Sequence, residues 1–285
     1  MKFINIAKKQ IQNNNLFEVV EGEYSNFFAE LFENFGNKDA FYKEFPVVYK
    51  KLNLQEVENN IFQIQQTALQ IYPQIEKLFV GIFIPNIITY IDCMTWDGHS
   101  VMLDSIPHTF FNLTLMSKHH FKQPRFDKKV HCAHEIAHSL HYNYSPDFYP
   151  ANTTNEYDKL LCKLYSEGIA TYISDVLTEK KSDDIYWFGL SEEGFVNRWI
   201  DNCENRRYKF LQLINHVKET SEANDDLTSE FFSFSGYPET DYLNSRLGYY
   251  YGSEIVKSIS DKYSIKELLS LSREIVEAAT VKYFS

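Results

Sequence analysis

The chain has 285 residues, 24% charged and 44% hydrophobic, with acidic groups outnumbering basic ones for a formal charge of −11. That length can bury a large core, as one domain or as two lobes around a cleft, and an acidic balance without a basic run excludes nucleic acid and anionic membrane surfaces as expected partners. No stretch approaches the ~20 consecutive apolar residues of a membrane span, and the opening Met1-Lys2-Phe3-Ile4-Asn5-Ile6-Ala7-Lys8-Lys9-Gln10 lacks a signal-peptide pattern, so with Met1 as the native start a cytoplasmic location is expected.

The first 75 residues read as helices. Phe27, Phe28, Leu31, Phe32 and Phe35 recur at helical spacing, and Val57, Ile61, Ile64, Ala68 and Ile71 make a long amphipathic face expected to end at Pro73. Aromatic residues reach 16% of the chain, a richness that reads as bulky core. From Leu78 the pattern changes to strands. Leu78 to Ile84 and Ile87 to Trp96 are rich in β-branched and aromatic residues, Asp97-Gly98 is a two-residue hairpin signal before Ser100 to Asp104, and Thr109 to Leu115 adds a further short run. A small antiparallel sheet is the expectation. The edge of such a sheet can take an extended peptide as an added strand.

Next comes the stretch from Asp127 to His141, D-K-K-V-H-C-A-H-E-I-A-H-S-L-H. Asp127 is placed to cap a helix, and no proline or glycine interrupts before Ser145-Pro146. Val130, Ala133, Ala137 and Leu140 form an apolar stripe, with Cys132 and Ile136 behind it, so the helix is expected to be buried. Residues four apart share one face of a helix, and His134 and His138 can therefore aim their imidazoles at one point outside it. Such a point suits zinc. Glu135 projects about 100° away, within reach of a metal-bound water but badly aimed to join the coordination shell, which is a general base's position. His131 and His141 share the histidine face within about 60°. They read as local partners or cleft lining, because a shell of four histidines would leave no position for water. The cysteines, Cys93, Cys132, Cys162 and Cys203, are scattered without a C-x-x-C pair and read as reduced thiols.

A polar stretch from Asn143 to Asn155 leads to a second helix, where Thr153 and Glu156 have capping-box spacing and Leu160, Leu161, Leu164, Ile169, Tyr172, Ile173 and Val176 supply an apolar face. Glu167 stands beside that face among Leu164, Gly168 and Ala170. Catalytic zinc usually takes three protein ligands, and Glu167 is the favoured third, with Asp147, Glu156, Asp158 and Asp175 as rivals and a solvated Lys163–Glu167 pair as the plain alternative. Thr171, one turn on, either orients that ligand or bonds its own helix carbonyl. Beyond Thr178 come a polar linker, one or two helices over Tyr186 to Val217, and a long loop over residues 218–240 containing Ser235-Gly236-Tyr237-Pro238, a candidate lid. Helices over Tyr249 to Tyr263 and Ile265 to Phe284 close the chain.

His134-Glu135-x-x-His138, followed 29 residues later by Glu167-Gly168-x-Ala170, resembles the gluzincin branch of zinc metallopeptidases, and most of all the YjaZ-like zinc-dependent proteases. Arg246-Leu247-Gly248-Tyr249-Tyr250-Tyr251-Gly252 resembles that family's late G-Y-x-x-G segment. The resemblance covers roughly residues 78 to 272. It implies Zn2+ on His134, His138 and Glu167, Glu135 as general base, and a transition-state role for the Tyr249 phenol. The expected fold is an α+β, zincin-like single catalytic domain of two lobes, about 1–145 with the sheet and the histidine helix and about 146–285 mainly helical, with the active cleft between them. The expected function is zinc-dependent hydrolysis of a peptide or protein substrate. A catalytically inactive zincin-fold protein that only holds a peptide is the alternative.

Overall fold

The chain opens on a strand, where its sequence had suggested helix. The computed structural model describes residues 1–13, 17–93, 98–115, 125–153, 155–180, 183–191, 194–222, 231–232 and 242–285, which fall into two units, Met1–Asn143 and Tyr144–Ser285. In the first unit, β1 (Phe3–Asn5) is followed by α1 (Ile6–Gln12), α2 (Glu18–Glu21), α3 (Ser25–Phe35), α4 (Lys38–Tyr49) and α5 (Leu54–Leu78). Then come β2 (Asn86–Tyr90), β3 (Gly98–Leu103), β4 (Ile106–Asn112), a single turn α6 (Leu113–Leu115) and α7 (Lys128–Tyr144).

The sheet is mixed, which corrects the antiparallel expectation. Its order is β1-β2-β4-β3, with β1 and β4 both parallel to β2 and only β3 antiparallel, to β4. The physical reason lies in β4, where Thr109, Phe110 and Phe111 are all fully buried. A strand apolar on both faces belongs in the middle of a covered sheet. Phe110 meets Phe27 of α3 and Tyr90 of β2 (ring centroids 6.0 and 5.6 Å), while Phe111 and Thr109 face α7. The tight turn of the sheet is Asp104-Ser105, both at left-handed φ (51° and 61°), as a primed two-residue hairpin requires. The hairpin expected at Asp97-Gly98 does not join neighbouring strands, since β2 and β3 are separated by β4; Asp97 itself lies outside the described residues.

Two further expectations change. Pro73 does not end α5, and Leu78 to Ile84 is not a strand. Ile71 and Ile75, both fully buried, hold the helix in register past the proline. The bond a proline forfeits is to the carbonyl four residues back, here Leu69, whose side chain is 46% exposed, so water can serve that carbonyl instead. The chain then turns, with the Ile82 amide donating to the Phe79 carbonyl and Gly81 at φ 80°.

In the second unit, α8 (Glu156–Thr178) is capped by Asn155, whose side chain accepts from the Asp158 amide at 2.8 Å, not by Thr153. Asparagine directly before the helix makes the cap without spanning an extra turn. After it come α9 (Phe195–Thr220), α10 (Leu247–Ser260), α11 (Ile265–Leu268) and α12 (Arg273–Phe284). The last helix expected from Ile265 is broken because tertiary donors take its carbonyls: Tyr165 donates to Leu268 and Ser145 to Leu269. Of the expected lid, α9 occupies the start, while Ser235-Gly236-Tyr237-Pro238 lies outside the described residues. Among the described residues no helix is long and apolar enough to cross a membrane, and the four cysteines are unbridged.

Candidate metal centre

The helix that carries the histidines begins as its sequence requires, with Asp127 Oδ1 accepting from the Lys129 and Val130 amides at 3.0 and 3.1 Å. From Val130 to Tyr142 every residue is buried. Ser139 fastens this helix to the sheet. Its hydroxyl lies 2.6 Å from that of Ser100 on β3 and 2.7 Å from that of Thr109 on β4, a fully buried cluster of three hydroxyls joined through Ser139 by two hydrogen bonds. This fixes the height of α7 along the sheet, and with it the positions of His134, Glu135 and His138.

Within α7 the Nε2 atoms of His134 and His138 lie 3.1 Å apart, with ring centroids at 4.7 Å and the planes nearly perpendicular at 86°. Two ligands at ~2.0–2.1 Å from a tetrahedral ion sit ~3.3–3.4 Å apart, so the pair is close to the spacing zinc demands. Among the described residues one group of three could hold a metal ion, His134, His138 and Glu167, with one ligand atom from each and all three atoms within 4.8 Å of one another. Two imidazoles and a carboxylate form a donor set that catalytic zinc accepts. The residues present therefore fit the ion.

Glu167 is half-buried on α8, and its neighbour Gly168 meets the backbone of Gly252 on α10; a Cβ at Gly168 would stand 2.2 Å from the Gly252 carbonyl carbon. Two of the rivals for the third ligand are engaged elsewhere, Asp158 with Arg273 at 3.2 Å and Glu156 with Lys159 at 2.6 Å, and Asp147 and Asp175 lie outside the ligand group. Thr171 takes the local option, donating to the Glu167 carbonyl at 2.8 Å. Lys163 sets its ammonium 5.0 Å from the Phe232 ring centroid.

Glu135 is 6% exposed and stands with one carboxylate oxygen 3.7 Å from His131 Nε2. His141 lies outside the ligand group, wholly buried; burial first, and the adjacent His138 second, push its pKa down to about 3. Burial pushes the Cys132 thiol up, with the Glu135 charge adding to it, so it stays protonated. Tyr249 occupies the first turn of α10, half-buried, under the Arg246 guanidinium at 3.8 Å from its ring centroid.

Two features escaped the sequence reading. His99 on β3 places its ring 5.6 Å from His138 and 6.2 Å from Tyr142, and the Ser100–Ser139–Thr109 cluster holds the helix to the sheet. The available signal was Gly98 and Ser100, small residues two apart on a strand, facing Glu135 and Ser139, four apart on a helix.

Residues 80–277, more than half of the chain, match a family described as "Putative zinc dependent peptidase (DUF5700)". No curated protein and no solved structure matches the chain.

Proposed function

The chain belongs to this family of zinc-dependent peptidases, and from that premise we propose that it is a gluzincin-type metallopeptidase, with one Zn2+ held by His134, His138 and Glu167. The observation that carries the reading is the convergence of two imidazole nitrogens 3.1 Å apart with a carboxylate of the same ligand group. Zinc bound there supplies a Lewis acid that lowers the pKa of a water to ~7 and draws charge from a substrate carbonyl.

The remaining chemistry falls to the chain's own residues. Glu135, beside the ligands yet aimed apart from them, takes the proton of the attacking water and passes it to the leaving amine. The Tyr249 hydroxyl donates to the oxygen on which negative charge develops. β3 is the outermost strand of its sheet and touches α7 at Glu135 and Ser139, which supports binding of an extended peptide along it by main-chain hydrogen bonds.

The deciding experiment is elemental analysis of protein purified without added metal, followed by a peptide-library cleavage screen. The wild type is expected to carry about one zinc per chain, as a three-ligand catalytic site does. His134→Ala, His138→Ala and Glu167→Ala should lose it, whereas Glu135→Gln should keep the metal and lose turnover by about 10²-fold or more. Unchanged zinc affinity in Glu167→Ala would remove that residue from the site. Zinc without cleavage of any peptide would leave an inactive peptide-binding protein.

A further inference from the structure

The Glu135 carboxylate is enclosed from two directions within the first unit. One turn back on α7, His131 Nε2 stands 3.7 Å from Glu135 Oε1, and the two side chains are only 2% and 8% exposed. From the sheet comes Gly98, the first residue of β3. A Cβ there would lie 2.9 Å from Glu135 Cγ, 3.1 Å from Cδ and 3.4 Å from Oε2. Gly98 does not have left-handed backbone and sits in ladder register opposite Phe111, so its dihedrals do not explain a glycine. The room it leaves for Glu135 does.

The same strand pair supplies one wall and backs the other. Phe111, the ladder partner of Gly98, packs its ring against His131 at 5.8 Å, and Phe126 flanks that imidazole at 5.4 Å. One turn further along α7, the Ser139 cluster ties the helix to Ser100 and Thr109. Residues two apart on a strand span ~6.8 Å and residues four apart on a helix rise ~6 Å, so Gly98 and Ser100 keep step with Glu135 and Ser139. The helix cannot slide along the strand without breaking that match.

We propose that His131 and Gly98 are positioning residues for Glu135, two walls that confine its carboxylate to one placement with Oε1 toward the imidazole and Oε2 toward the bare Cα. The proposal rests on the reading of Glu135 as general base. A glutamate with an open neighbour samples several rotamers, and a reacting group displaced by ~1 Å can lose on the order of 10²-fold in rate. Alanine at 98 meets only side-chain atoms of Glu135, nearest Cγ, and no backbone, so the strain falls on the glutamate, which must shift its carboxylate. That displacement is the test.

The variants are Gly98→Ala, His131→Phe and His131→Gln, the last keeping an N–H donor where the imidazole nitrogen was. Zinc per chain should match the wild type in all three. For Gly98→Ala and His131→Phe, kcat should fall on the order of 10²-fold with KM within about twofold, and His131→Gln should recover most of the loss. A second readout needs neither metal nor turnover: the Glu135 carboxyl 13C resonance of metal-free protein, identified as the signal lost in Glu135→Gln. It should move in Gly98→Ala and His131→Phe. A resonance and kcat unchanged in Gly98→Ala, which is the variant least able to unfold the chain, would overturn the proposal, as would identical behaviour of His131→Phe and His131→Gln. A wild type without zinc or peptidase activity would sink the hydrolytic reading alone, since the resonance would still report whether the two walls hold the carboxylate.

Discussion

Arg246 shows how a single residue can hold the start of a helix and a neighbouring ring in place. It sits in left-handed backbone at φ 59°, only 2% exposed, with its Nε donating to the Tyr186 carbonyl at 2.7 Å and its guanidinium over the rings of Tyr249 and Phe188 at 3.8 and 4.6 Å. Left-handed backbone costs a non-glycine residue ~1–2 kcal/mol, and a desolvated cation–π contact returns about 2 kcal/mol or more. The start of α10 is thereby locked, and the Tyr249 ring with it. Tyr249→Phe preserves the stack and deletes only the hydroxyl. If that hydroxyl stabilises developing charge, kcat should drop by about 10²–10³-fold with zinc content unchanged, a loss of the size seen for one oxyanion donor. Full activity in the variant would reduce Tyr249 to a packing partner of Arg246. The sequence offered Tyr249 through its motif, but the arginine's grip on it depends on Tyr186 and Phe188, about sixty residues away.

Among the elements, α8 and α10 approach backbone to backbone. A Cβ at Gly252 would stand 2.1 Å from the Leu164 carbonyl oxygen and 2.9 Å from Gly168 Cα, and no flexible side chain is there to yield. Gly252→Ala must push the helices apart, and overpacking of this kind costs about 1–3 kcal/mol or more. Calorimetry should show Tm lowered by several degrees, at roughly 2–4 °C per kcal/mol for a unit of this size. Because Glu167 adjoins Gly168, zinc affinity measured by competition should weaken in the same variant, whereas an unchanged Tm would mean that the helices can part freely. Helix α7 was legible from end to end, since its cap, its lack of breakers and its all-round apolar character are local properties. The run from Leu78 to Ile84 misled because its β-branched and aromatic residues line a turn after the helix, where Phe79 and Ile82 are buried while Val80 and Phe83 are 74% and 40% exposed.

For the molecule as a whole, His141 links stability to pH. Burial, then the neighbouring His138, hold it down to about 3 from an ordinary 6.5. The unfolded chain binds that proton more readily, so the contribution of His141 is complete above pH 6.5 and is lost as pH falls from there toward 3, at up to ~1.4 kcal/mol per pH unit. Urea midpoints at pH 7 and pH 5 should differ in the wild type by more than in His141→Phe, where this proton has no site. Equal pH dependence in the two would show that other groups govern acid unfolding.

The histidine helix, its capping aspartate, the four-residue spacing of His134 and His138 and the off-axis place of Glu135 were determined by sequence alone, because a period of 3.6 residues is written in consecutive positions. Tertiary structure alone decided the strand order β1-β2-β4-β3, the pairing of β1 from the chain's first residues, and the wall that Gly98 presents to Glu135. Strand pairing and helix-on-sheet register join residues tens of positions apart, and which of several compatible partners is taken is settled by the packing of both faces at once, a condition that no local pattern contains.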